Sequence, residues 1–321
     1  MKKGKVAVIG LAGQSAFLTA EHFPIPGETV ACSSLFFEPG GKGYNQAVAC
    51  ARMGIETVFI GAVGDDSNAE ACRLGLEQEG IKVCFVKKQD PTAFAVITTV
   101  PDGENTVQVL GGASKCLTEA DLKEKSILQE LKECDYLLLQ NELSWECLHA
   151  AMKLAKEQGI FVVLNPAPAE HISRDLFPEC ELLTPNYGEA KYLAGFSKEE
   201  EPSGRELAEA FRKYHAKKVV VTMGRKGAFI IDEEGERMIP AFSCGTTLDT
   251  TGAGDTFNGT LTAALAMDKS LEEAVRMAVV AAGISVTRRG AASSIPEKSE
   301  VMNHMEMRII EQEWPASLRR K

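Results

Sequence analysis

Residues 5–10 read Lys5-Val6-Ala7-Val8-Ile9-Gly10, a β-branched run closed by glycine. Such a run reads as a buried strand opening an α/β fold. Working outward, Phe23-Pro24-Ile25-Pro26-Gly27 is a turn, and residues 28–37 look extended. Pro39-Gly40-Gly41-Lys42-Gly43 then leads into a predicted helix at 45–53. A strand is predicted at 57–61 and a helix at 68–79. Strand, helix and strand at this spacing indicate βαβ units and a mainly parallel sheet.

Residues 93–100 and 106–110 break that rhythm. They are β-prone runs joined by Pro101-Asp102-Gly103-Glu104, which suits a tight turn. With the extended segment after Gly27 they form either a small accessory sheet over the main one, or an edge hairpin of the main sheet. Alternation then resumes, with helices at 117–133 and 145–157, strands at 136–140, 161–165 and 182–184, and a helix from 188 to 193. A helix at 206–214, a strand at 218–222 and a hairpin around Glu233-Glu234-Gly235 follow, then long helices at 254–266 and 271–287. Residues 198–204 fit a surface loop, and the tail 315–321 is expected to fray.

The chain has 321 residues, 45% of them apolar, enough for a sizeable core. Its 35 Lys and Arg against 45 Asp and Glu give a net charge of −10, which argues against a general binder of nucleic acid or anionic membrane. No apolar run approaches the ~20 residues a bilayer span needs. The five histidines are scattered, so a His-rich zinc site is not expected. Nine cysteines, none in C-x-x-C, read as reduced thiols of a cytoplasmic protein.

The chemistry concentrates in Asp249-Thr250-Thr251-Gly252-Ala253-Gly254-Asp255-Thr256-Phe257, which is expected to follow a short β-like stretch and open a helix. Small residues at 252–254 let backbone N–H groups converge at a helix N-terminus, where the dipole favours an anion. That suits charge developing on a transferred phosphoryl group. Asp255 would repel a resting phosphate, so it needs a reason to be there. One is to accept the proton of an attacking hydroxyl. Read alone, it is equally an acidic residue of a first helical turn. Neither G-x-x-x-x-G-K-[ST] nor G-x-G-x-x-G occurs, which disfavours P-loop and dinucleotide sites.

The segment Asp249–Asp255 resembles the C-terminal signature of the ribokinase (PfkB-type) family of sugar kinases, and Gly40-Gly41-Lys42-Gly43-Tyr44-Asn45-Gln46-Ala47 resembles its N-terminal signature. Further matches lie at Pro26-Gly27-Glu28-Thr29, Gly64-Asp65-Asp66, Asn165-Pro166-Ala167-Pro168-Ala169, Thr184-Pro185-Asn186-x-x-Glu189 and Val286-Thr287-Arg288-Arg289-Gly290-Ala291. The resemblance implies a three-layer α/β/α fold, a single domain over 1–321, and a β-sheet lid from about 11–18, 28–40 and 91–112.

It further implies ATP-dependent phosphorylation of a primary hydroxyl, with Asp255 as base and Gly252, Ala253 and Gly254 as anion hole. Gly13, Ser15, Gly40, Gly41, Lys42, Asn45 and Glu142 fall at sugar positions. Asn186 and Glu189 match a motif tied to Mg²⁺ and phosphate; Thr222, Gly224, Arg225, Lys226, Gly227 and Val279 match nucleotide positions. Asp249, Thr251, Ser285, Arg288, Gly290 and Ser294 match a K⁺ site. Each also has a plainer reading: Lys42 as a solvated loop lysine, Asn186 as an N-cap, Thr222–Gly227 as a hairpin, and the cation loop as packed on the sheet without an ion. A homodimer through the lid, with Phe94 and Val96 on a small sheet, is expected as in the family.

Two departures bear on the substrate. The family carries G-S-I-N-A-D after the first strand, whose Asn and Asp grip ring hydroxyls, whereas this chain has Gly10-Leu11-Ala12-Gly13-Gln14-Ser15. Losing that carboxylate removes acceptors for a sugar diol, and Gln14 compensates in part if it turns inward. Val279 stands where relatives often place a polar residue near the adenine. The expectation is a sugar kinase acting on ribose; the alternatives are 2-deoxyribose, another sugar or a nucleoside, or a sensor without turnover.

Overall fold

The computed structural model describes residues 4–101, 104–170 and 172–313; the turn residues Asp102 and Gly103, His171 and the tail 315–321 lie outside them. In chain order the first elements are β1 (Val6–Ile9), β2 (Gly13–Ala20), β3 (Cys32–Gly40), α1 (Lys42–Arg52), β4 (Thr57–Val63), α2 (Ser67–Gln78) and β5 (Lys82–Lys87). Then come β6 (Ala93–Thr99), β7 (Asn105–Leu110), α3 (Glu119–Leu122), α4 (Lys125–Lys132), β8 (Tyr136–Gln140), α5 (Trp145–Gln158), β9 (Phe161–Asn165) and β10 (Leu182–Leu183). The last are α6 (Tyr187–Ala194), α7 (Gly204–Lys213), β11 (Val219–Thr222), β12 (Ala228–Asp232), β13 (Gly235–Ile239), α8 (Ala253–Ala266), α9 (Leu271–Ser285) and α10 (Lys298–Glu313).

β1 is fully buried, because alternate residues serve two cores. Ala7 and Ile9 pack with α5, α6 and α7, while Val6 and Val8 pack with α1, α8 and α9. This alternation is what a strand between two helical layers requires. Among the described residues the main sheet has nine strands in the order β13-β12-β11-β10-β9-β8-β1-β4-β5. All its pairings are parallel except β11–β12 and β12–β13. β1 pairs with β4 on one side and β8 on the other, so the strand order reverses there. In such sheets ligands sit beyond the C-terminal strand ends at the reversal, where Gly10, Gln140, Asn165, Thr184 and Thr222 lie.

A second sheet of four strands, in the order β3-β2-β6-β7, stands apart from the first. The 93–110 hairpin therefore joins the accessory sheet rather than the edge of the main one. β2 pairs antiparallel with β3 and parallel with β6, and Ser15 lies opposite Glu38. Leu35, Phe36, Phe37, Val107 and Val109 on the outer strands are exposed.

Two expectations are corrected. The helix at 117–133 is broken: Thr118 and Asp121 form a capping box that starts α3, and an extended backbone at Glu124 restarts the helix as α4. The stretch before Asp249 is not a strand. Its backbone docks on the end of α9 instead, with the Leu248 and Asp249 N–H groups both donating to the Val286 carbonyl. Unforeseen were β5, whose residues are at most half-buried, and α10. No helix among the described residues is long and apolar enough to cross a membrane, and none of the nine cysteines is disulfide-bonded.

Candidate active site

Two helices converge at the reversal point because glycines let them. At Gly41, φ is +100° and a Cβ would lie 2.3 Å from Leu11 Cδ2 and 2.7 Å from the Leu11 carbonyl. Only glycine allows α1 to start so close to the end of β1. Gly252, at φ +73°, caps α8 in the left-handed region, with its would-be Cβ 3.0 Å from Ala291 Cα. Gly252, Ala253 and Gly254 thus form the turn at the start of α8, and Asp255 sits in its first turn.

Asp255 is 9% exposed. Its Oδ2 accepts from Asn45 Nδ2 at 2.9 Å and its Oδ1 from Gln46 Nε2 at 3.0 Å. Gln46 also donates to Asn165 Oδ1 at 3.0 Å and accepts from Gln140 Nε2 at 2.7 Å. Asn165 in turn donates to the Thr184 carbonyl at 2.9 Å. Two amides of α1 therefore hold the carboxylate, and amides at the ends of β8 and β9 fix Gln46 from behind.

The electrostatics follow from burial. Desolvation lifts the Asp255 carboxyl above its ordinary value, against the pull of Lys42 and the two amide donors. Glu142 is lifted likewise by burial, opposed by Lys42, and it accepts the Lys42 backbone N–H at 3.0 Å. Burial opposes the charge of Lys42, but Asp255, Glu142 and Glu189 together raise its ammonium above the ordinary range. A buried lysine among carboxylates is the setting in which one carboxylate can take a proton while another holds a hydroxyl.

Three adjoining cavities meet here. One of about 220 Å³ lies under the second sheet and is lined by Gly13, Gln14, Ser15, Gly40, Gly41, Lys42, Asn45, Glu142, Gly252 and Asp255. Gln14 Oε1 and Asn45 Oδ1 are buried without a partner. An unsatisfied buried acceptor costs about 1–3 kcal/mol, and a ligand rich in hydroxyls would satisfy both. A second cavity, about 510 Å³, has an apolar wall of Phe242, Val279, Ala282, Gly283 and Val286 facing Thr222, Gly224, Arg225, Gly227, Ala253 and Gly254. That fits a planar base with phosphates at the polar end. A third of about 140 Å³ joins them, touching Lys42, Asn186, Glu189, Thr222, Gly254 and Asp255.

Most expected site residues are thus brought together, and the exceptions are specific. Lys226 is exposed and does not line the apolar cavity. Asn186 and Glu189 do form the plainer capping box, Asn186 Oδ1 accepting the Glu189 N–H at 2.9 Å and Glu189 Oε2 the Asn186 N–H at 2.8 Å. Both nevertheless face the small cavity, and burial raises the Glu189 carboxyl. Around the expected cation loop, Asp249 accepts from Thr251 N–H at 2.9 Å and Gly290 N–H at 3.1 Å. Ser285 and Ser294 donate to the Ala282 and Ala291 carbonyls, and Arg288 pairs with Glu300. Among the described residues no cluster of three or more His, Cys, Asp and Glu is placed to hold a metal.

Sequence reading assigned no role to Gln46, although Lys42, Asn45 and Gln46 stand at i, i+3 and i+4. That spacing places them on one helix face. It also passed over Phe242, which only the folded chain brings to the apolar wall.

An α/β fold with a lidded hydroxyl pocket, a nucleotide-sized pocket and a helix N-terminus between them defines a phosphotransferase acting on a small polyol. The pfkB family carbohydrate kinase profile matches residues 3–298. Ribokinase of Haemophilus influenzae is 36% identical over 303 residues, covering 94% of this chain and 98% of that one. The crystal structure of ribokinase from Thermotoga maritima superposes with a TM-score of 0.85 at 34% identity, covering 94% and 99% of the two chains. Arabidopsis thaliana ribokinase, complexed with ribose and ATP, gives 0.83 at 28% identity, covering 94% and 98%. The chain belongs to the pfkB family of carbohydrate kinases, and the three-layer fold and family expected from the sequence hold.

Proposed function

We propose that this chain is a ribokinase, transferring the γ-phosphoryl group of ATP to the primary hydroxyl of ribose. The observation that carries this reading is the position of Asp255, buried at the start of α8 where the lidded pocket meets the small cavity leading to the nucleotide pocket. Asp255 accepts the proton of the sugar hydroxyl as it attacks in line. The backbone N–H groups of 252–254 receive the developing charge, and Lys42 opposes the burial that lifts the Asp255 and Glu142 carboxyls. Asn45, Gln14 and Glu142 orient the ring hydroxyls through the acceptors they direct into the pocket, and the lid excludes water that would otherwise hydrolyse ATP.

Glu189, with Asn186 beside it, would hold Mg²⁺ next to the phosphates; a hard cation kept by one carboxylate and phosphate oxygens needs no larger protein cluster. When bound it neutralises charge on the transferred group. The loop of Asp249, Thr251, Ser285, Arg288, Gly290 and Ser294 would hold K⁺ mainly through backbone carbonyls, and its backbone lies against Gly252. The exposed apolar residues of β3 and β7 support a homodimer through the lid. The unpaired cysteines support a reducing, cytoplasmic setting.

The test is ADP release with MgATP against D-ribose, 2-deoxyribose, other pentoses, hexoses and nucleosides, with and without K⁺. Turnover highest with ribose supports the reading. Turnover confined to another sugar reassigns the substrate to the pocket around Gly13 and Ser15, and silence across the panel with ATP still bound favours a sensor. Light scattering that gives a monomer at micromolar concentration overturns the dimer.

A further inference from the structure

Along β3 the residues from Cys32 to Phe37 are exposed, but Glu38 is half-buried because its side chain turns to the loop after α9. Glu38 Oε2 accepts the Ala291 N–H at 3.0 Å and Oε1 the Ser293 N–H at 2.6 Å. Gly290 makes room for this: it sits at φ +91°, and a Cβ there would lie 3.1 Å from Glu38 Oε2 and 2.2 Å from Ser293 Oγ. The same loop is held elsewhere. Asp249 takes the Gly290 N–H at 3.1 Å, and Arg52 of α1 donates to the Ala292 carbonyl at 3.1 Å and the Ile295 carbonyl at 2.6 Å. Ala291 packs directly on the backbone of Gly252.

A carboxylate on the lid therefore grips a loop that buttresses the turn at 252–254. We propose that Glu38 is a positioning residue that latches the lid to this loop, so that closing over the sugar and ordering the anion-binding turn are one event. The proposal rests on reading 252–254 as the anion hole and the second sheet as a lid over the sugar. Lifting β3 breaks two hydrogen bonds to a charged group and frees Ala291 to drift from Gly252. Losing them shifts the closing equilibrium roughly 10- to 100-fold. Coupling of this kind is reciprocal: nucleotide tightens sugar binding by the factor with which sugar tightens nucleotide.

The experiment uses the full chain and the variants Glu38→Gln and Glu38→Ala, with thermal melts confirming that each is folded. Affinity for D-ribose is measured by calorimetry with and without the β,γ-imido analogue of ATP and Mg²⁺. The wild type should bind ribose more tightly with the analogue present, and each variant should lose most of that enhancement while keeping its affinity for ribose alone within about threefold. Amide exchange at 288–295 should slow on adding ribose and the analogue together to the wild type and stay unchanged in the variants. Full retention of the enhancement and of the slowed exchange overturns the latch. Equal loss of ribose affinity with and without the analogue also overturns it, making Glu38 a direct sugar ligand. A wild type that phosphorylates no sugar overturns the kinase reading instead, while the exchange comparison still decides the latch.

Discussion

Replacing Asp255 with Asn separates the two things its burial does. As proton acceptor it contributes a factor of about 10²–10⁴ in rate, and the amide cannot replace it, so kcat should fall by that amount. Stability should move the other way or hardly at all. Asp255 accepts from both Asn45 and Gln46, and an Asn at 255 offers one acceptor and one donor. The donor finds a partner if the Asn45 amide flips, since Asn45 Oδ1 is buried without one. No hydrogen bond is then lost. Burial also raises the Asp255 carboxyl above its ordinary range, so the folded chain binds that proton more readily than the unfolded one. At pH below the unfolded value of about 3.9 both states are protonated and the site costs nothing; as pH rises from there toward the folded value, stability is lost at about 1.4 kcal/mol per unit, and the loss stays constant above it. The D255N variant lacks this loss, so its advantage over wild type should widen from pH 4 toward neutrality. D255A differs: it leaves two buried amide donors unpaired, costing about 1–3 kcal/mol for each. Coupled ADP-release assays and thermal melts between pH 4 and 8 check both halves. Retention of more than a tenth of wild-type kcat by D255N, or a melting point well below wild type at pH 7, would refute the reasoning.

Other substitutions follow from the same geometry. Lys42→Met removes the cation that restrains the Asp255 and Glu142 carboxyls, so the acid limb of the kcat/KM profile should move to higher pH and the sugar KM should rise roughly tenfold; an unmoved limb would show that Lys42 does not tune them. Gly252→Ala puts a side chain at φ +73° against Ala291, and should cost about 1–2 kcal/mol with at least tenfold in kcat, read by denaturant melts and turnover. At Gly13 a Cβ would lie 2.4 Å from the Ala93 carbonyl oxygen, so Gly13→Ala should destabilise by about 1–3 kcal/mol; an unchanged melt would mean that β2 and β6 are freer to part than their pairing implies.

The Gly13 contact explains one departure from the family pattern. Where the family places Asn, this chain brings β2 so close to β6 that no side chain fits, a fact invisible in the string Gly10-Leu11-Ala12-Gly13 but plain once Gly13 pairs with Ala93. Ser15 is similar, since only the register sets it opposite Glu38. The continuous helix expected at 117–133 is interrupted where Glu124 leaves the helical conformation between α3 and α4, and the residues around it carry no glycine or proline to mark that break. β5 was missed because a half-buried edge strand carries little of the apolar signal that marked β1.

The order of strands and helices, the parallel sheet, the glycine-opened helix at 252–255 and the family were legible along the chain, because each rests on residues adjacent in sequence or at fixed helical and strand spacing. Which side chains share a site was decided by the tertiary structure. Asn45 and Gln46 reach Asp255 across separations of 210 and 209 residues, and Glu38 reaches Ser293 across 255. Contacts at such distances depend on how β1 meets its neighbours and how closely glycines let the helices approach, and local sequence carries no measure of either.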